Sequence, residues 1–237
     1  MKIDNIQPHS FLRSQDIIHL HHANTVATAI SFIKNGGLVS RGDIERLGAF
    51  QTKQESDHED KQYDVWEDVF LDTVDLHGFF SRQNLYGPVL FKFNIDFLLC
   101  EDLDIWITKA NPMFWTQNMS PDERYFQGMP DILMNWDNFN RQHKMITIRK
   151  PYHPILFQYL EKIVLDDPNV QIYNDTIPYD VAQKSLCIEL KNAQLPLTLL
   201  TKRHCKRCFC HSNYLKQLAT EKISNLFLTP QHKNWKN

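Results

Sequence analysis

Four side chains of the kinds that bind zinc stand close together near the C-terminal end of the sequence. They are Cys205, Cys208, Cys210 and His211, in the pattern C-x-x-C-x-C-H. Thiolate sulfur and imidazole nitrogen are the donors that structural Zn²⁺ prefers. Because neighbouring residues along a chain point apart, not all four can reach one ion, and a ligand from a distant segment is expected. The pattern therefore predicts a structural zinc, with reduced thiols on a basic loop as the alternative.

A second set of residues matches half of a metal-nuclease pattern. Glu189 and Lys191 form a Glu-x-Lys pair at the end of an apolar run, residues 186–190, that predicts a strand. With an earlier acid, Asp175 or Asp180, the glutamate would hold Mg²⁺ and the lysine would assist attack by water. Glu-x-Lys is also common by chance, so a strand edge with alternating charge explains the same residues.

A third candidate, His22, lies at the end of a predicted strand near the start of the sequence. Residues 18–22 alternate in character, as in a strand, and Asn24 is a suitable N-cap for the helix that should follow. Residues 26–33 carry an apolar helical stripe, and Gly36 ends it. His22 is thus expected beside a helix N-terminus, where backbone donors favour an anionic ligand. A histidine with a purely structural role is the alternative.

Two stretches of the sequence resemble ADP-ribosyltransferases. His22-Ala23 followed by residues 30–38 (ISFIKNGGL) is similar to the first motif of that superfamily. A later stretch is similar to the "strand, Ser-x-x-x-x-Tyr, strand" segment of the poly(ADP-ribose) polymerase-like branch, and it comprises residues 69–72, Ser81, Tyr86 and residues 89–93. Together the two motifs cover roughly residues 17–94.

The resemblance implies an enzyme that uses NAD as its cofactor. Such an enzyme breaks the bond between ribose C1′ and nicotinamide through a transition state like that of glycoside hydrolysis. By the resemblance, His22 would hold the ribose hydroxyls, Tyr86 would pack on nicotinamide, and Ser81 would belong to the same cofactor site. Arg41, just past the glycine turn, would pair with the pyrophosphate, because its guanidinium is a fixed fork of donors.

The catalytic carboxylate is the part of the resemblance that the sequence does not match. In the family a glutamate usually stands just before a strand, but the predicted strand 145–149 is preceded by Gln142-His143-Lys144. Glu123 is the substitute, so that Glu123 and His22 are the candidate catalytic residues. Ser120 and Glu123 also have the spacing of a helix capping box, which gives Glu123 a purely structural alternative.

Composition and charge limit the class of protein. The chain has 237 residues, 42% apolar and 23% charged, and neither a G-x-G-x-x-G nor a Walker loop occurs. The first residues do not form a signal peptide, and no run approaches the ~20 apolar residues that span a bilayer. We therefore expect a cytoplasmic protein with no membrane contact, and the sequence leaves its oligomeric state open.

The net charge of −2 conceals a basic C-terminal end. From residue 201 onward there are eight lysines and arginines and one acid, Glu221, a balance of +7. A basic segment on an acidic body favours a polyanionic partner such as nucleic acid. A solvated basic face is the alternative.

The order of predicted elements indicates an α+β fold. Strands are predicted at 69–71, 89–93, 104–108, 145–149, 170–173 and 186–190, helices at 155–165 and 212–228, and a long acidic loop at 42–66. The resemblance implies an ADP-ribosyltransferase-like split mixed β-sheet with flanking helices and a small C-terminal helical and zinc-loop element. We expect one domain over residues 1–200 and a basic element over residues 201–237.

These patterns predict an NAD-dependent ADP-ribosyltransferase that modifies nucleic acid. The nearest analogy is the DarT-type branch, which acts as a toxin or phage-defence effector. One alternative is a metal-dependent nuclease that uses Asp180, Glu189 and Lys191, and another is a non-catalytic module that binds nucleic acid. Dependence on NAD separates the first function from the second, and dependence on Mg²⁺ separates the second from the third.

Overall fold

A computed structural model describes residues 4–78, 86–100, 102–140, 144–205, 208, 214 and 218–235. Within these residues a seven-stranded mixed sheet, a two-stranded sheet and eight α-helices form an α+β fold, which confirms the predicted class. The helices are α1 (Ile6–Ser14), α2 (Val26–Lys34), α3 (Arg41–Arg46), α4 (Asp57–Gln62), α5 (Pro121–Arg124), α6 (Met129–Asn135), α7 (Pro178–Asn192) and α8 (Thr220–Phe227). The strands are β1 (His19–Asn24), β2 (Gly37–Leu38), β3 (Val69–Asp72), β4 (Val89–Asn94), β5 (Ile105–Ile107), β6 (Met145–Ile148), β7 (Ile155–Leu156), β8 (Leu160–Asp167) and β9 (Leu200–His204).

The large sheet places β1 at its centre. Its strand order is β5-β6-β3-β1-β4-β8-β9, and β2 pairs separately with β7. All neighbouring strands of the large sheet run antiparallel except β8 and β9, which run parallel. Because residues alternate between the two faces of a strand, His22 and its neighbour His21 point to opposite sides of the sheet.

Helix α2 covers the face on which His22 lies. The ring of Phe32 meets the rings of His22 and Phe91 edge-on, at centroid distances of 5.4 and 5.8 Å. The N-cap of α2 is Thr25, whose hydroxyl accepts a hydrogen bond from the Thr28 amide. The prediction of Asn24 as N-cap is therefore wrong by one residue, because Asn24 still pairs with Val89 as the last residue of β1.

Three predicted elements are wrong in type. Residues 155–165 form β7, a short 3₁₀ turn and most of β8 rather than a helix, because β8 is buried between β4 and β9. Residues 186–190 belong to helix α7 rather than to a strand, with Ala182, Leu186 and Leu190 on its buried side. Residues 170–173 contain no strand, only an isolated bridge between Ile172 and Thr176.

The acidic segment 42–66 holds two short helices instead of one long loop. Ser40 caps α3 by accepting a hydrogen bond from the Asp43 amide at 3.0 Å. Helix α4 follows and carries three acids in its first turn, where they complement the helix dipole. Since neither helix has an apolar stripe long enough to form a period, hydrophobic spacing did not reveal them.

The C-terminal segment joins the same core as the rest of the chain. Strand β9 begins at Leu200 and forms the edge of the large sheet, so the expected boundary at residue 201 cuts this strand. Helix α8 packs against α7 and α2, and its side chains Ile223, Leu226 and Phe227 belong to the main hydrophobic core. In the described part of the chain, no helix combines the length and the apolar character that a bilayer crossing requires.

Candidate functional site

His22 is held as a neutral hydrogen-bond acceptor. Its Nδ1 lies 2.8 Å from the carbonyl oxygen of Phe70, and since a carbonyl can only accept, Nδ1 carries the ring proton. Burial lowers the pKa of His22 despite that hydrogen bond, and the nearby charge of Arg41 lowers it further. The buried Nε2 has no hydrogen-bond partner among the described residues. The side chain is thus ready to accept a hydrogen bond from a ligand hydroxyl.

Arg41, the first residue of α3, is fixed in place with part of its fork of donors unused. Its Nη2 lies 2.7 Å from Asp57 Oδ1 and donates to the carbonyl oxygen of Thr52 at 3.2 Å. The guanidinium also stacks over Trp66, 5.1 Å from the ring centroid. Its Nε and Nη1 are buried and have no hydrogen-bond partner among the described residues. Two donors of a fixed cation are therefore available to an anion.

A cleft of about 550 Å³ opens beside Arg41. Its lining combines two aromatic rings, three further titratable cations or imidazoles, two carboxylates and small or amide residues: Phe50, Trp66, Lys53, Lys61, His58, Glu45, Asp57, Gly48, Ala49 and Gln51. Lys61 stands 4.3 Å from the centroid of the Trp66 ring, so a cation flanks that ring in addition to Arg41. The cleft suits a ligand that has both a flat ring and negative charge.

Tyr86 lies near the end of β1 because of the glycine that follows it. Gly87 has a φ of +121°, and a Cβ there would come within 2.3 Å of the Asn24 carbonyl oxygen. Only glycine permits this close approach to the junction of β1 and α2. The Tyr86 hydroxyl lies 3.8 Å from the sulfur of Met113. Ser81, the other predicted residue of this motif, lies outside the described residues.

Glu123 is not brought to this site. It is exposed on α5 and closes the predicted capping box, with Oε2 accepting from the Ser120 amide at 2.7 Å. That hydrogen bond lowers the pKa of Glu123. Tyr125, two residues later, pairs with Thr108 at the β5 edge of the sheet, whereas His22 lies in the central strand. The structural alternative for Glu123 therefore describes its observed contacts.

The residue directly before β6 is a buried lysine. Lys144 donates from Nζ to the carbonyl oxygen of Trp136 at 2.8 Å and stands 4.0 Å from the centroid of that ring. Gln142 and His143 lie outside the described residues. The described part of this junction thus holds a cation where the resemblance would place a catalytic carboxylate.

The opposite face of β1 carries a polar pair that the sequence did not reveal. His21 and Asp72 stand directly opposite each other across β1 and β3. Burial raises the pKa of Asp72 to about 8, and the charge of Asp75 adds to the effect. Burial also lowers the pKa of His21 to about 4. Asp72 Oδ1 and His21 Nδ1 have no hydrogen-bond partner among the described residues. With these shifted pKa values, both side chains are mainly neutral near pH 7.

Two of the predicted zinc ligands do come together. Cys205, Cys208 and His77 form a group whose ligand atoms all lie within 4.8 Å of one another. Cys210 and His211 lie outside the described residues. His77 comes from a distant segment, as the prediction of an additional ligand expected, and no local pattern around it could have identified it.

The nuclease arrangement is wrong in its geometry. Asp180, Glu189 and Lys191 all lie on α7, not on a strand. At 100° per residue, Asp180 and Glu189 project from opposite sides of the helix and cannot share one ion. Glu189 lies 3.9 Å from Lys34, and the other candidate acid, Asp175, lies 2.6 Å from Lys233.

The described basic residues near the C-terminal end are mostly neutralised by acids. Lys202 lies 2.6 Å from Asp167, and Arg203 Nε lies 2.7 Å from Asp166. Tyr214 is buried and donates to Asp166 at 3.2 Å, so its ring does not form an exposed platform for a base. Lys206 and Arg207 lie outside the described residues.

Comparison with known proteins gives no indication of function. Neither a scan against protein-family models nor a search of the curated proteins finds a match to this chain. The features that bear on function are therefore the unpartnered atoms of His22 and Arg41 and the cleft beside Arg41.

Proposed function

We propose that the protein binds NAD beside Arg41 and transfers ADP-ribose from it to an acceptor. The observation that carries the proposal is a pair of half-buried side chains, His22 and Arg41, that lie close enough to interact electrostatically. Both have buried polar atoms with no hydrogen-bond partner among the described residues. Buried polar atoms are normally hydrogen-bonded, so the unpartnered atoms of Arg41, which lines the cleft, and of the nearby His22 point to a ligand.

The tautomer of His22 suits a ribose hydroxyl. With Nδ1 donating to the carbonyl of Phe70, Nε2 can only accept, and a hydroxyl is a donor that reaches such an acceptor. Because burial and the charge of Arg41 both lower the pKa of His22, the ring keeps this role throughout the neutral pH range. The same reasoning disfavours a phosphate oxygen as the partner of Nε2, since it would be a second acceptor.

Arg41 suits the pyrophosphate. Asp57 and Trp66 fix the guanidinium, while Nε and Nη1 remain as two donors without a partner among the described residues. The aromatic rings of Phe50 and Trp66 line the same cleft and provide surfaces for an adenine or nicotinamide ring. We propose Tyr86 as a further ring at the β1 end of the site.

The transfer step balances without any redox chemistry. The bond between ribose C1′ and the nicotinamide nitrogen breaks, and its electron pair stays on the departing neutral nicotinamide. A nucleophilic oxygen or nitrogen of the acceptor bonds to C1′ and gives its proton to a base or to water. Two carboxylates, Glu45 and Asp57, line the cleft, whereas Glu123 does not. We therefore propose that Glu45 or Asp57 stabilises the cationic transition state.

Nucleic acid is the acceptor that the charge of the sequence favours. The balance of +7 after residue 200 supports a polyanionic partner, although Lys202 and Arg203 are engaged by Asp167 and Asp166. We therefore propose Lys206 and Arg207 as the basic residues that meet it, in a toxin or phage-defence role. Such binding weakens steeply as the salt concentration rises.

The experiment is a labelling assay with NAD that carries a label in its ADP-ribose part. The parent, His22→Ala and a matched control, His19→Ala, are incubated with cell extract, and the nucleic-acid and protein fractions are counted separately. His19 lies on the same strand but faces the other way, 2.8 Å from Glu161. We expect label in nucleic acid with the parent and the control, and none with His22→Ala. Label in protein alone would refute the acceptor, and no label in any fraction would refute the transferase.

A further inference from the structure

Two separate segments meet beside the edge strand β9. His77 lies in a short 3₁₀ turn, Leu76–Gly78, soon after β3, while Cys205 directly follows β9. The Cys205 amide donates to the carbonyl oxygen of Asp167 at 3.0 Å, which fixes the start of the cysteine segment. Cys208 follows three residues later, and its sulfur lies within 4.8 Å of both other ligand atoms.

The spacing of these atoms is close to that of a zinc site. The sulfur of Cys205 lies 3.9 Å from Nε2 of His77. A tetrahedral Zn²⁺ with Zn–S of ~2.3 Å and Zn–N of ~2.0–2.1 Å separates sulfur from nitrogen by about 3.6 Å. The sulfur of Cys205 and Nε2 of His77 therefore need to approach each other by only about 0.3 Å, and the Cys208 ligand atom lies within 4.8 Å of both.

The second ring nitrogen of His77 has the partner that metal-bound histidines usually have. Nδ1 lies 3.1 Å from Asp166 Oδ2, so the carboxylate turns Nε2 toward the two thiols. Asp166 is itself fully buried and is fixed by Arg203 at 2.7 Å and by the Tyr214 hydroxyl at 3.2 Å. A carboxylate behind a histidine orients the ring and increases its strength as a ligand.

We infer that His77, Cys205 and Cys208 bind a structural zinc ion, with Asp166 as the positioning residue behind His77. Structural zinc sites have four protein ligands, so one more donor is expected. The ion would tie the turn after β3 to the segment after β9, two parts of the chain that are more than 120 residues apart in sequence.

Two other chemistries use similar residues and fit less well. Cys205, His77 and Asp166 have the order of a nucleophile, a base and an orienting acid. A nucleophile must meet its substrate, however, and Cys205 is 0% exposed. A disulfide between Cys205 and Cys208 would have no chemical role for the nearby Nε2 of His77. A metal ion engages both thiols and the imidazole together.

The test is metal analysis of untagged full-length protein purified without chelators. We expect close to one zinc per chain in the parent and in a matched control, Cys187→Ser, whose cysteine lies on α7 and does not belong to the cluster. In His77→Ala and in Cys208→Ser the zinc content should fall at least tenfold, since even the loss of a supporting partner weakens metal binding by ~10–100-fold. Full zinc content in His77→Ala would overturn the assignment.

A second measurement does not depend on whether these variants fold. Zinc is removed from the parent with a strong chelator and replaced by cobalt, whose bands report thiolate ligation and tetrahedral geometry. We expect thiolate-to-cobalt charge transfer, a lower melting temperature on metal removal, and its recovery on adding zinc. A parent chain that melts at the same temperature with and without zinc would overturn the inference. So would a disulfide between Cys205 and Cys208 in the native protein.

Discussion

The buried carboxyl of Asp72 makes the stability of the protein depend on pH in a specific way. Burial raises its pKa in the folded state to about 8, against 3.8 for a free aspartate. Between these values the folded state keeps a proton that the unfolded chain has lost, so this group destabilises the fold increasingly as pH rises. The contribution grows by ~1.4 kcal/mol per pH unit and reaches roughly 5 kcal/mol at pH 8.

His21, opposite Asp72, works in the other direction over part of this range. Its pKa is lowered to about 4 in the fold, so its contribution to stability increases as pH rises from about 4 to 6.5. The two slopes oppose each other there, and the profile of the parent alone would be nearly flat. Comparison with Asp72→Asn, which keeps the shape and removes the titration, isolates the carboxyl.

The assay is urea unfolding of the parent and Asp72→Asn at each pH unit from 5 to 8. We expect the difference in unfolding free energy, variant minus parent, to rise by about 1.4 kcal/mol per pH unit in favour of the variant. His21→Gln is a useful second variant. Without the opposing effect of His21, its unfolding free energy should fall more steeply than that of the parent as pH rises from 5 to 6.5. If the curves of the parent and Asp72→Asn run parallel from pH 5 to 8, Asp72 is ionised in the fold and the reasoning fails.

Two further substitutions test how the site is built. Gly87→Ala should lower the free energy of unfolding in urea by more than ~3 kcal/mol, because its Cβ would come within 2.3 Å of the Asn24 carbonyl oxygen at a φ of +121°. Gly36→Ala, with a φ of +73° and open space around its Cβ, should lower it by only ~1–2 kcal/mol. Equal costs would show that the approach of Gly87 to the start of α2 is not tight. Glu123→Gln should leave ADP-ribose transfer and NAD affinity unchanged in the labelling assay, since Glu123 is exposed on α5; loss of transfer with intact NAD binding would return the catalytic role to this residue.

Four antiparallel strands of the large sheet could be predicted from the sequence because they are short and clearly bounded. Strands β3, β4, β5 and β6 all fall within a residue or two of their predicted positions. The capping box of Ser120 and Glu123 was also predictable, since its two residues interact locally. Local sequence patterns thus predicted both these strands and the structural role of Glu123.

The errors arose where apolar residues fit two periods. Leu156, Leu160 and Ile163 match a helical spacing, yet their segment contributes strands β7 and β8, because the pairing of β8 with β4 decides the outcome. In α7 the apolar residues 186–190 resemble a strand. Ala182, Leu186 and Leu190, however, recur every four residues, and this spacing correctly indicates a helix. Tertiary burial overrides local pattern in such short segments.

The residues of the candidate site that lay far apart in sequence could not be predicted. Asp57 and Trp66, which fix Arg41, lie in a segment with no apolar period. His77 and Cys205 are 128 residues apart in sequence. The pKa of Asp72 is raised only because folding buries its carboxyl group. Contacts of this kind depend on strand order, which the sequence pattern does not specify.

Calorimetric titration of the untagged parent with NAD tests the central claim most directly. We expect saturable binding that weakens about tenfold or more in Arg41→Lys, which keeps the charge but loses the fork of donors, since a hydrogen bond to a charged group is worth ~1.5–3 kcal/mol. His22→Ala should weaken it several-fold, and His19→Ala should leave it unchanged. No binding of NAD to the parent at millimolar concentration, or equal weakening by His19→Ala, would contradict the account.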